Sequence, residues 1–217
     1  MVVRSFHTQL DNMKQELLKL GEQIEGVLNE VVEGIASQDK IELMEEIIKN
    51  DYKINQVELE LHDKVTLLIS KQQPVATDLR KLIVILKISS DLERVADLAV
   101  DMAKQSIRLK QGNYNHYKDQ LVTMFTLARE MIQESLVAFE QSDLMMAQKI
   151  ASMDDRVDRL YGEFIRDLFQ VSKDEIEVDQ ITQLAFIGRY IERIADYATN
   201  IAEWVVYEVN GKHFDLN

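Results

Sequence analysis

Glu93, Asp97 and Asp101 recur four residues apart, and Glu192, Asp196 and Asn200 repeat the pattern 99 residues later. On an α-helix that spacing keeps side chains on one face, drifting about 40° per step. Like charges at i, i+4 oppose each other by roughly 0.2–0.5 kcal/mol per pair, so a ladder that occurs twice implies a compensating partner. Two further pairs stand upstream, Asp51 with Asn55 and Asp154 with Asp158. If each pair and the ladder after it lie on the arms of an antiparallel hairpin, residues equidistant from the turn face each other. Positions 51 and 97, and 55 and 93, are centred on Pro74; 154 and 196, and 158 and 192, are centred on Glu175. Each hairpin therefore brings acid level with acid, or acid level with asparagine. Carboxylates that are crowded and partly desolvated must take up protons, pair with a cation or bind a metal.

Divalent or trivalent hard cations, such as magnesium, calcium, manganese or iron, take oxygen-rich sites of this kind. The candidate ligands are Asp51, Asn55, Glu93, Asp97 and Asp101 in the first half, and Asp154, Asp158, Glu192, Asp196 and Asn200 in the second. The second set is expected to bind more tightly, with four acids at level positions against three acids and an asparagine. The competing reading has these faces solvated, with the acids paired to Arg94, Arg193, Lys53 and Arg156. The di-iron bundle pattern is excluded, because it needs Glu-x-x-His and no histidine here has Glu three residues before it. No nucleophile or phosphate-cradling glycine loop accompanies the acids, so no catalytic residue is assigned and no enzyme is expected.

The elements that must hold these residues follow from apolar spacing at i, i+3, i+4. A first helix spans about 7–37, with Leu10, Leu17, Ile24, Val31 and Ile35 on one side. Ser37-Gln38-Asp39 breaks it, and Asp39 suits the cap of a second helix running to about Ser70. Pro74 marks the next break, and a third helix runs to Gln111 before Gly112-Asn113. Helices over about 115–140, 143–171 and 175–207 repeat the order, with breaks at Gln141-Ser142-Asp143 and Ser172-Lys173-Asp174. Aligning Leu86–Lys104 with Ala185–Glu203 gives seven identities in nineteen positions, among them a shared Glu-Arg-x-Ala-Asp-x-Ala. That is the mark of a duplicated unit. The fold class is all-α: two tandem pseudo-symmetric three-helix bundles, six long helices, divided as 1–112 and 113–217. The apolar runs Leu82–Leu86, Ala185-Phe186-Ile187 and Trp204-Val205-Val206 place the third helix of each unit at the centre of its bundle.

Composition agrees with this. The 217 residues contain one proline and seven glycines, as a chain of long helices requires. There is no cysteine, which excludes disulfides and thiolate ligands and suits a reducing cytosol. A net charge of −13 without a dense basic run argues against nucleic acid. The N-terminal residues lack the apolar stretch of a secretory leader. The longest apolar run, Leu82–Leu86, is far short of the roughly 20 residues that span a bilayer, so no membrane insertion is expected.

The segments Gln73–Arg80, Leu92–Asp97 and Ile191–Glu203 resemble the signature segments of the PhoU family, and Asn50–Asn55 looks like its second-helix motif. The resemblance covers essentially the whole chain. It implies a cytoplasmic accessory protein of the high-affinity phosphate ABC transporter, a negative regulator of the phosphate-starvation response. The expected partners are the transporter's ATPase subunit and a membrane-bound sensor histidine kinase, which would place the protein peripherally at the inner membrane. A homodimer and multinuclear metal clusters on acidic E/D-x-x-x-D motifs, with iron and zinc among the metals, are implied as well. The first repeat departs from the pattern: Asp101 stands where the second copy has Asn200, Lys104 where it has Glu203, and Asn55 where a second Asp is expected. Ala96 and Ala195 stand where many members have glycine. The rival classes are a metal-storing bundle without a signalling role and a plain helical scaffold.

Overall fold

In the computed structural model, residues 2–37, 41–110, 115–170 and 176–216 are described. Six helices follow in order: α1 (Val2–Ala36), α2 (Ile41–Gln72), α3 (Ala76–Arg108), α4 (Asn115–Gln141), α5 (Leu144–Gln170) and α6 (Val178–Asn210), and no strand occurs among the described residues. The predicted breaks near 38, 113 and 174, the Asp39 cap and the unit boundary at 112/113 lie outside the described residues. The breaks near 73 and 142 are observed. At the first, α2 closes with Gln73 N–H on Ile69 O (2.9 Å) and Gln73 in the left-handed region. At the second, Asp143 Oδ1 accepts from the backbone N–H of Met145 (2.8 Å) and Met146 (3.1 Å), capping α5.

The third helix ends at Arg108, three residues before its predicted stop, and the reason is tertiary. Gln180, buried at the start of α6, donates from Nε2 to Arg108 O (3.3 Å) and accepts Lys110 N–H on Oε1 (2.7 Å). A side chain from the other half thus satisfies backbone groups that a longer helix would have bonded within itself.

The core is continuous across both halves and takes large residues from every helix, including Leu20, Leu61, Ile88, Phe125, Phe164 and Ile191. α1, α3, α6 and α4 pack in a closed ring; α2 adds to α1 and α3, and α5 adds to α4 and α6. α3 and α6 each meet three helices, but so do α1 and α4, so the number of neighbours does not set the third helix of each unit apart. Phe186 departs from the apolar reading: it is 46% exposed and stacks on Tyr190.

Close approach of α5 to α6 depends on Gly188, where an added Cβ would lie 2.6 Å from the buried Phe164 ring. Around Gly162, on the outer face of α5, a Cβ would meet nothing within 4 Å. Alanine substitutions at the two glycines should therefore have opposite signs. Gly162→Ala should stabilise by about 0.5–1 kcal/mol through helix propensity, and Gly188→Ala should destabilise by about 1–3 kcal/mol through overpacking. Chemical denaturation of the two variants measures both.

Candidate metal centre

Helix α2 buries one stripe of residues, Met44, Ile47, Ile54, Leu61, Val65 and Leu68, and two positions of its seven-residue rhythm are acidic: Asp51 and Glu58. Helix α5 does the same with Ala147, Ile150, Val157, Phe164 and Leu168, and there Asp154 sits in the stripe. These acids point toward α3 and α6. The facing helices are buried on three sides, and their remaining polar strips carry Glu93, Asp97 and Asp101, or Glu192, Asp196 and Asn200.

In the second half the carboxylates meet across the hairpin. Asp154 is only 4% exposed, and its Oδ1 has no hydrogen-bond partner among the described residues. Burial pushes its carboxyl up to about 6, the negative charges of Asp158, Asp196 and Asp155 add to this, and a hydrogen bond with Thr199 opposes it. Burial pushes Glu192 up to about 7, with Asp196 and Asp158 adding and Arg189 opposing. Asp196 is raised by burial and by Asp158, against Arg189 and Arg193. Glu192 Oε1 forms an ion pair with Arg189, while its buried Oε2 has no hydrogen-bond partner among the described residues. Asn200 lies one turn further along α6, half-buried and uncharged.

In the first half Glu93 is raised by partial burial, then by Asp97, Glu58 and Asp51. Asp97 is raised by desolvation, then by Asp51 and Asp101, with Lys104 and Arg94 opposing. Asp51 Oδ1 and Asn55 Oδ1 are both buried without a hydrogen-bond partner among the described residues. Asp101 turns toward the surface and pairs with Lys104 at 2.9 Å. None of the site acids forms an ion pair with Arg94, Arg193, Lys53 or Arg156 among the described residues. Arg193 donates to the Tyr197 hydroxyl (3.2 Å), and a hydrogen bond with the same hydroxyl raises Arg94.

Glu58 escaped the sequence reading although it carries charge into the first site. Its Oε1 accepts from Ser90 Oγ (3.1 Å) and faces His62 Nε2 (3.0 Å). His62 Nε2 also reaches Ser89 Oγ (2.9 Å) and Leu86 O (3.3 Å). Because Leu86 O can only accept, Nε2 carries the proton it shares. The signal was present: 58 with 90 and 62 with 86 are also centred on Pro74, so the rule that matched acid to acid matches acid to hydroxyl too. With Glu58 included, the first site holds four acids, and a ranking of the two sites by acid count no longer favours the second.

The donor set is carboxylate and amide oxygen, which fits a hard cation, and the unpartnered buried oxygens on both hairpins are donor sites that protein groups leave unused. Among the described residues, no three His, Asp or Glu side chains are drawn into one coordination sphere as they stand. A bound cation would draw them together against their mutual repulsion. Among the described residues no helix is long and apolar enough to cross a membrane.

Comparison with known proteins matches residues 17–106 and 121–205 each to the PhoU domain. The phosphate-specific transport system accessory protein PhoU homolog of Clostridium acetobutylicum is 36% identical over 100% of both chains. The accessory protein PhoU of Escherichia coli is 29% identical over 96% of this chain and 87% of its own. The crystal structure of the phosphate transport system regulatory protein PhoU from Streptococcus pneumoniae superposes with a TM-score of 0.90 at 31% identity, covering 97% of this chain and 99% of that one.

The raised carboxyls make the metal-free fold pH-sensitive in a stated direction. An acid whose pKa is higher folded than unfolded binds protons more tightly in the folded state, so its stabilising effect is present at low pH and lost as pH rises. For Asp154 the window runs from 3.8 to about 6, and for Glu192 from 4.5 to about 7. Metal-free protein should therefore melt at lower temperature at pH 8 than at pH 5. Asp154→Asn should raise the pH 8 melting temperature by about 2–4 °C, the shift that about 1 kcal/mol produces in a chain of this size. Scanning calorimetry in the presence of a chelator measures it.

Proposed function

The chain belongs to the PhoU family, and from that premise we propose that it is an accessory protein of a phosphate transport system that represses the phosphate-starvation response. The observation that carries this reading is similarity along the whole chain, at 31% identity and a TM-score of 0.90, to a protein described as the regulatory protein of such a system. The relatives are named accessory or regulatory proteins, which supports a role exercised through partners and without substrate turnover. The partners of this reading are the transporter's ATPase subunit and a sensor histidine kinase, met in the cytoplasm at the inner membrane. The working form is a homodimer.

Metal ions complete the reading. Asp154, Asp158, Glu192 and Asp196 would hold one centre, and Asp51, Asn55, Glu93 and Asp97 the other, with Glu58 at its edge. A bound ion supplies positive charge that neutralises the acids and ties α2 to α3 and α5 to α6. The residues themselves set the affinity: Asp154 is fixed by the packing of its stripe, while Asp158 and Asp97 are exposed enough to adjust. The unpartnered oxygens also favour a second reading, a metal-storing bundle without a signalling role.

Deleting the gene in its own host separates the two. The regulator reading expects alkaline phosphatase, a phosphate-starvation product, to become constitutive in phosphate-rich medium. It also expects the tagged protein to copurify with the transporter's ATPase subunit from membranes. Normal repression in the deletion strain would contradict it and leave storage.

A further inference from the structure

The two hairpins differ at one position that decides how each is neutralised. Offsetting α2 against α5 by the 103 residues that separate Asp51 from Asp154, and α3 against α6 by 99, places Glu58 on Tyr161, His62 on Ile165, Ser89 on Gly188 and Ser90 on Arg189. In the first half the position holds a hydroxyl, and Ser90 Oγ donates to Glu58. In the second half it holds a guanidinium, which pairs with Glu192 one turn along α6 and lowers Asp196 as well. Across the hairpin Arg189 faces Tyr161, the residue that replaces Glu58.

We propose that Arg189 is a resident cation of the second acidic site, which a metal ion must displace, so that the first site, with Ser90 and Glu58 in the matching places, loads first. The inference rests on the reading that these sites take metal. Arginine stays protonated at any working pH, so its competition with a metal for the Glu192 oxygens is permanent. The side chain is 48% exposed while Glu192 is 13% exposed, so the guanidinium can swing into water and leave the carboxylate to the ion. Among the described residues Arg193 shares this work at Asp196, more weakly than Arg189. Arg193 is held on the Tyr197 hydroxyl and over its ring. In the first half Arg94 lowers Glu93 and Asp97 through space without an ion pair to either among the described residues, and Lys104 pairs with Asp101 at an exposed edge. A surface pair of that kind opposes binding weakly.

The test is titration of metal-free, full-length protein with Mn²⁺, followed by calorimetry and by the loss of the free-ion paramagnetic signal. Wild type should show a stronger and a weaker class of site, with the stronger abolished by Asp97→Asn and the weaker by Asp196→Asn. Arg189→Met should tighten the weaker class by about tenfold or more, the scale of a charge-assisted hydrogen bond released, and leave the stronger class unchanged. Arg189→Lys should stay close to wild type. Ser90→Arg, which places the guanidinium in the first half, should weaken the stronger class. Metal-free Arg189→Met should melt lower at pH 8 and recover with Mn²⁺; a merely structural arginine would lower melting without moving affinity. If wild type binds Mn²⁺ in two classes and Arg189→Met moves neither, or moves the class that Asp97→Asn abolishes, the inference is overturned and the metal reading stands. If wild type binds no Mn²⁺, the metal reading falls and the inference with it.

Discussion

An acid in the core-facing stripe of a helix constrains everything around it. Asp154 lies among Ile150, Val157 and Phe164, and Asp51 between Ile47 and Ile54, in stripes that are otherwise apolar apart from Glu58. Neither can turn away from the facing helix without unpacking its own. Their charges must therefore be met across the hairpin, and what meets them is more carboxylate. The apolar packing of α2 on α3 and of α5 on α6 holds these groups together against repulsion, and the cost appears as raised carboxyls at Asp154, Glu192, Glu93 and Asp97. Burying an unpartnered carboxylate oxygen is expensive. That it happens on both hairpins is more easily understood as provision for a cation than as accident repeated.

The closed ring of α1, α3, α6 and α4 explains how two such sites coexist in one chain. Because α3 packs directly on α6, the acidic strips of the two halves share a backbone framework, while α2 and α5 lie outside it and touch only their own half. Between the strips stand Arg94 and Arg193, both on the Tyr197 hydroxyl. The two basic residues that repeat beside the acids thus share one hydroxyl, and they lower Glu93, Asp97 and Asp196 only through space, with no ion pair to them among the described residues.

Much of this was legible in residue spacing. The repeat at offset 99, the break at Pro74 and the two centres of symmetry placed Asp154 opposite Asp196 and Asp51 opposite Asp97 without coordinates, because helix rise makes equidistance from a turn a geometric statement. Other features could not be read so. Glu58 has neither an acid nor an amide level with it, only the Ser90 hydroxyl, so a rule that pairs acids with acids or asparagine passes over it, though its place in an apolar stripe marks it equally well. The end of α3 at Arg108 depends on Gln180, seventy-two residues away, and no local pattern encodes a cap from another element. The ring was hidden because an apolar stripe gives the width of a buried face and not the identity of its neighbour. Phe186 belongs to an apolar run, and apolar character alone does not show that it lies exposed and stacks on Tyr190.

The central claim is that each hairpin is a built cation site, and anomalous diffraction from crystals soaked in Mn²⁺ tests it most directly. The account predicts one anomalous centre among Asp154, Asp158, Glu192 and Asp196 and one among Asp51, Asn55, Glu93 and Asp97. Carboxylate oxygens that are now unpartnered should lie about 2.0–2.6 Å from the ion. Full soaking with no anomalous density at either hairpin, and Asp154 and Glu192 unmoved, would contradict it.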